Sequence, residues 1–205
     1  LTLVLVSLQS FAQNNIKRYV EDNLKVVKTI SPDSLDFSDL EVIGNRIGDA
    51  RIVMLGEQDH GEAPTFLAKT RLSKYLHEKK GFDVLAFESD FFALTKGWDE
   101  LEKRKDKVED FLKNNIFSIW TSCAQCDDLF YNYIGKTLKT NSPIDIAGFD
   151  SQKHGRYSNK NLKIFVDSLV KKSQMPFVKN KEYASFIKFL DSSKISRDTT
   201  KYHTF

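Results

Sequence analysis

Two stretches decide the fold: RIVMLGEQDHG (51–61) and GFDVLAFE (81–88). RIVML (51–55) is short, apolar and rich in β-branched residues, and Gly56 stops it; this is the pattern of a buried strand. Residues 56–61 form a glycine-bounded loop. Pro64 suits the first turn of a helix, which the pattern carries to about Lys80, with Gly81 as its C-terminal stop. FDVLAF (82–87) reads as a second buried strand. Strand, helix and strand over 51–87 make a βαβ unit, expected to be parallel and right-handed. Working outward, Pro143 precedes a third strand candidate, IDIAGF (144–149). Residues 90–140 are helical in pattern, with breaks near Gly97 and Ser118, and the chain after Lys160 is again mostly helical. Towards the N-terminus, Ile16, Val20, Leu24 and Val27 predict an amphipathic helix over 15–30, followed by a turn at 31–34 and a short helix over 40–47 closed by Gly48. The expected fold class is α/β: a central, largely parallel sheet with a βαβ unit and large helical insertions.

The bulk properties narrow the function classes. The chain has 205 residues, 40% hydrophobic and 29% charged, which fits a folded domain with a real core. A net charge of +3 with no long Lys/Arg block argues against a nucleic-acid partner. The alternating charges of 100–113 read as a solvated helix face. LTLVLVSL (1–8) followed by Ser10 and Ala12 has the form of the end of a secretory signal peptide, so residues 1–12 are expected to be a leader and 13–205 one α/β domain, exported to a periplasm or the cell exterior. That apolar run is too short to span a bilayer, which takes about 20 residues, so no membrane association is expected after cleavage. The domain is expected to continue past Phe205.

In open parallel sheets, ligands sit outside the carboxyl ends of the strands. The three expected strands deliver Glu57, Asp59 and His60, then Glu88, Ser89 and Asp90, then Asp150 with His154 just beyond. His60 is the candidate general base, because an imidazole near neutrality can accept a proton from water. Glu57, three residues earlier in the loop, can hold one ring nitrogen and fix the tautomer. Glu88 supplies a second carboxylate. Lys69, on the following helix, is placed to stabilise charge on a carbonyl oxygen, with Arg71 and Asp150 as further polar candidates. The plainer alternative leaves His60 solvated, Glu57 a turn residue and Lys69 on the surface.

No metal or other cofactor is expected. The four histidines are scattered at 60, 77, 154 and 203 with no His-x-x-x-His pair, and His77 suits a structural place near a helix C-terminus. Cys123 and Cys126 form a C-x-x-C with no second pair for zinc; a local disulfide or two thiols at a helix start are both open. The nearby aromatics Trp98, Phe117, Trp120, Phe130 and Tyr131 read as core, with one or two lining a cleft. No Gly-x-Ser-x-Gly elbow is present, which argues against a serine nucleophile.

The motif Gly56-Glu57-x-x-His60-Gly61, the helix with Lys69, Arg71 and Leu72, and Gly81-Phe82 through Phe87-Glu88 resemble the opening of the erythromycin esterase family. A weaker likeness continues through Trp120, Tyr131-Asn132 and Gly148-Phe149-Asp150, covering about residues 45–155. The resemblance implies metal-independent hydrolysis of a small-molecule ester or lactone, with His60 activating water, Glu57 and Glu88 supporting it, and a basic residue at Lys69 in the same cleft. It also implies a longer domain, with a further site histidine beyond this chain. Two departures stand out: Asp59 adds a charge beside the base, and the Cys123–Cys126 segment falls where a charged helix is usual. The alternative reading is an exported haem- or iron-binding protein of related fold, which Asp59 beside His60 would suit.

Overall fold

The computed structural model describes residues 15–57 and 59–191; the expected leader over 1–12 lies outside them. Helix α1 covers 15–23. A 3-10 turn at Ser38–Leu40 leads into α2 (Glu41–Ile47), and α3 follows at Ala63–Lys80. Strand β1 (Val84–Asp90) is succeeded by a π-helical turn at Ala93–Gly97, α4 (Trp98–Glu100), α5 (Lys105–Asn115) and α6 (Ser118–Thr121). A second π-helical turn, Asp128–Tyr133, runs into α7 (Ile134–Thr137). Strand β2 (Asp145–Asp150), α8 (Arg156–Lys172) and α9 (Tyr183–Asp191) complete the described chain. The fold is α/β, with a small parallel sheet inside a largely helical body.

Local sequence explains the longest helix near the loop. Pro64 stands in the first turn of α3, and Gly81 ends it at φ 74° with its N–H bonded to the Leu76 carbonyl. α1 stops short of the expected 15–30 because the following backbone is claimed from outside. Arg71 donates to the carbonyls of Thr29 (2.8 Å) and Asp36 (2.6 Å), and Lys74 to that of Pro32 (3.0 Å). Carbonyls held by side chains of α3 fix this stretch as an extended strap.

The expected first strand is corrected. Residues 52–57 run without helix or ladder, and Ile52 and Met54 are 80% and 91% exposed. Val53 packs against the cluster of Phe37, Leu40, Tyr75 and Leu76, and Leu55 is half-buried. A strand requires a neighbour for its N–H and C=O groups, and apolar patterning does not supply one. The parallel pair is instead β1 with β2, joined by the helices of 91–138, in the register Val84↔Asp145 through Phe87↔Gly148.

The register breaks between Phe87 and Asp90, where β1 passes close to Gly148. A Cβ on Gly148 would meet the carbonyl oxygens of Ser89 and Asp90 at 2.7 Å, so only glycine fits there. At this end of β1 the buried Asp90 carboxylate accepts four hydrogen bonds. One oxygen takes the Ala93 N–H (3.0 Å) and the Ser158 hydroxyl (2.6 Å), and the other takes the N–H groups of His154 (3.0 Å) and Gly155 (2.8 Å). His154 completes the junction. Its Nε2 accepts from the Asp90 N–H (3.1 Å) and lies 2.9 Å from the Ser89 hydroxyl, and its ring stacks on Phe117 at 3.6 Å. Burial pushes the His154 pKa down, in keeping with an imidazole that accepts at Nε2.

Two apolar clusters fill the molecule. The larger gathers Trp98, Leu112, Phe130, Ile134 and Ile146 between the sheet and the crossover helices. The smaller sits under α2 and the N-terminal half. Beside the smaller one, Arg71 pairs with Asp39 at 2.6 and 3.1 Å, both side chains 2% exposed. The Arg71 guanidinium holds the Asp39 pKa down at about 2, against an ordinary 3.8. His77 is structural as expected: Nδ1 meets the Tyr133 hydroxyl at 2.8 Å and Nε2 the Ser142 carbonyl at 3.0 Å.

Two outcomes follow from these buried carboxylates. Asp90→Ala leaves four donors without their acceptor, at about 1–3 kcal/mol for each that stays buried; chemical denaturation of the variant is expected to show a loss of several kcal/mol or no cooperative transition. For Asp39, the folded-state pKa is depressed, so the unfolded state binds more protons in the acid range and stability falls as pH drops from about 3.8 towards 2. The cost of Asp39→Asn should therefore be full at neutral pH and shrink towards pH 2, which urea titrations at several pH values will show.

Candidate active site

The candidate site is assembled by the loop that enters α3. Gly61 adopts φ 80°, a left-handed conformation that favours glycine and turns the chain into the helix. Just before it, the Nδ1 of His60 is in direct contact with Oε1 of Glu57. A carboxylate oxygen accepts, so Nδ1 is the donor in this contact, and Nε2 is the ring nitrogen left for other partners. The His60 side chain is 66% exposed while that of Glu57 is only 18% exposed, so the anchor is sheltered and the ring faces solvent. The Asp59 carboxylate accepts the His60 backbone N–H at 2.9 Å and thereby shapes the turn.

Lys69, two turns into α3, brings its Nζ to 3.7 Å from the other Glu57 oxygen. The same ammonium lies 5.5 Å from the centroid of Trp120, whose ring also meets His60 edge-on at 5.8 Å. Glu57 thus bridges the imidazole and the ammonium, and Trp120 covers both. Glu57, Lys69 and Trp120 border a small open cleft, walled further by Gly61, Phe66, Ile119 and Cys123, and His60 stands beside it. A second, more open groove also reaches Glu57, between Val27, Ile43, Met54 and Leu72. Glu57 is therefore reached from both hollows. Such an arrangement offers a base, a carboxylate that stabilises the base once protonated, and a cation beside an apolar wall.

The other sequence candidates stand apart from this contact set. Glu88 is exposed on β1, makes no hydrogen bond or ion pair with Glu57 or His60, and does not line the cleft. Asp150 accepts the Gln152 N–H at 3.1 Å as a turn residue at the end of β2. Arg71 points away into its pair with Asp39 and the strap. Among the described residues no three His, Cys, Asp or Glu side chains cluster as metal ligands. Cys123 and Cys126 are joined as a disulfide. Trp120 is the participant that residue-by-residue reading left among the core aromatics. Its separation from the loop in sequence gives no local signal, and only its place in a run of aromatics beside the C-x-x-C hinted at a wall.

No family model matches the chain. It is 34% identical over 114 residues to the provisionally named hydrolase YbfO of Bacillus subtilis (strain 168), covering 56% of this chain and 25% of that protein. It is 34% identical over 88 residues to erythromycin esterase type I of Escherichia coli (38% of this chain, 22% of that protein), and 30% identical over 100 residues to type II (48% and 24%). Among solved structures, one described as a succinoglycan biosynthesis protein superposes with a TM-score of 0.63 at 24% identity, covering 88% of this chain and 44% of that one. A Bacillus cereus protein superposes with a TM-score of 0.56 at 23% identity, covering 84% and 41%. The chain thus shares its fold with both solved proteins, and its sequence is similar to that of proteins named hydrolase and erythromycin esterase over about a quarter of their length.

Proposed function

We propose that the chain carries the water-activating part of a hydrolase for carboxylic esters or lactones. The observation that carries this reading is the Glu57–His60 contact, in which a sheltered carboxylate holds Nδ1 of an exposed ring and leaves Nε2 as the nitrogen for water. In the proposed step, Nε2 takes a proton from water as the oxygen attacks the carbonyl carbon. The resulting imidazolium is balanced by the Glu57 carboxylate, which already lies against Nδ1. The Lys69 ammonium offsets negative charge on the tetrahedral oxygen. Collapse breaks the bond to the alkoxy oxygen, and the imidazolium returns the proton to it, so no covalent enzyme intermediate forms. For a lactone the same step opens the ring. Trp120 and Phe66 provide the apolar surface on which the body of such a substrate rests. Glu88, exposed on β1 and apart from the Glu57–His60 pair, takes no part in this step. The names of the sequence relatives support the same class.

The test is turnover by the full-length protein of a panel of nitrophenyl esters and of small-ring and macrocyclic lactones. His60→Ala is expected to lose about 10²–10⁴-fold in kcat, the range of a lost general base. Glu57→Gln should lose much of the same activity, because a neutral amide stabilises the imidazolium poorly. Turnover by His60→Ala equal to that of the wild type would end this reading.

The loss of charge at Lys69 separates binding from chemistry. Lys69→Met is expected to lower kcat by up to about 10²–10³-fold with a smaller change in KM, the signature of charge stabilised in the transition state. A rise in KM alone would instead make Lys69 a binding residue.

A further inference from the structure

The proposed hydrolysis makes no use of the Cys123–Cys126 bridge, yet the bridge is built into the cleft wall. Cys126 is fully buried within the larger apolar cluster. Cys123 is half-buried and lines the cleft together with Glu57, Lys69, Ile119 and Trp120. The two residues are three apart, with Cα atoms at 5.2 Å, and the Cys126 N–H also bonds the Cys123 carbonyl at 3.0 Å. A loop this short restrains few conformations of the unfolded chain, so the bridge is a weak staple for the fold as a whole. Its effect is local: it closes the turn that follows α6, the helix carrying Trp120. Besides the bridge, the hydrogen bonds to this segment from outside it are few, the Tyr131 hydroxyl donating to the Thr121 carbonyl at 3.1 Å among them. Trp120 in turn touches both His60 and Lys69. One ring therefore links the sulfur pair to the imidazole and the ammonium.

We propose that Cys123–Cys126 is a reversible exchange site for small-molecule thiols, and that its redox state sets how Trp120 seats against His60 and Lys69. The unequal burial of the two sulfurs gives the exchange a direction. The thiolate of an external thiol attacks Sγ of Cys123, the sulfur on the cleft wall. The Cys123–Cys126 bond breaks, and Cys126 leaves as a thiolate that takes up a proton. A second external thiolate attacks its own kind in the mixed disulfide and releases Cys123. Two external thiols become one disulfide, and the two cysteines gain two electrons and two protons. With the bridge open, the 122–126 turn loses its closure and Trp120 its fixed seat. This inference concerns the shape of the cleft and does not rest on the ester reading.

The experiment follows the full-length protein by NMR, reading the His60 ring and the Trp120 indole N–H, the latter assigned with Trp120→Phe. Spectra are recorded oxidised, after equilibration with millimolar glutathione, and after reoxidation, while alkylation and mass spectrometry count free thiols. Expected is a change from no free thiols to two without loss of the folded spectrum. The His60 and Trp120 signals should move by more than their line widths and return on reoxidation. Cys123→Ala/Cys126→Ala should show the reduced positions under both conditions; if it fails to fold, the wild-type series decides alone. A bridge that yields to glutathione only in denaturant would overturn the proposal. So would reduction that leaves both signals in place. Because neither readout is turnover, failure here is distinguishable from failure of the hydrolase reading.

Discussion

The carboxylate of Asp90 is the constraint on which the described fold most depends. Placed at the end of β1 and out of water, it accepts from Ala93, His154, Gly155 and Ser158. A buried carboxylate is costly unless its oxygens are satisfied, and here four donors from two separate stretches, Ala93 and the 154–158 turn, satisfy it. The price of leaving any of them unmet fixes where the chain departs from β1 and where it returns after β2. The approach of Gly148 to the Ser89 and Asp90 carbonyls and the stacking of His154 on Phe117 belong to the same junction.

Helix α3 serves two roles on different faces. Arg71, Lys74 and Tyr75 bind the N-terminal strap and α2 through Asp39, Pro32 and Glu41. Phe66 and Lys69 turn towards the cleft. The strap thus anchors the helix from behind while its other side presents the ammonium to Glu57. Charge is handled differently on the two faces: the Arg71–Asp39 pair is almost wholly enclosed, whereas Glu57 and Lys69 keep partial contact with solvent and Glu57 also touches an exposed imidazole.

What the sequence revealed follows the range of the interactions involved. The ends of α3 were legible because Pro64 and Gly81 act locally, and β1 and β2 because short apolar runs flanked by breakers lie close to where the strands form. The Glu57–His60 contact was legible because it spans three residues within one loop. Trp120 was not, since nothing near it in sequence reports that it folds over His60. Nor was the fate of Arg71, whose partner lies 32 residues earlier. Residues 51–55 have the composition of a strand, but pairing depends on a neighbour that composition does not encode. Ser89 and Asp90, read from sequence as part of a polar strand end, turn out to be committed to the junction rather than to the cleft.

The run from Ile52 to Leu55 carries a consequence for how the protein behaves at high concentration. It is an extended apolar segment with Ile52 and Met54 open to water and no ladder neighbour among the described residues. Exposed backbone of this kind is a template for edge-to-edge self-association unless something covers it. Solubility is thus tied to the very stretch that leads into the reactive loop, and a charged residue introduced at Ile52 or Met54 would act on colloidal behaviour and on the loop together.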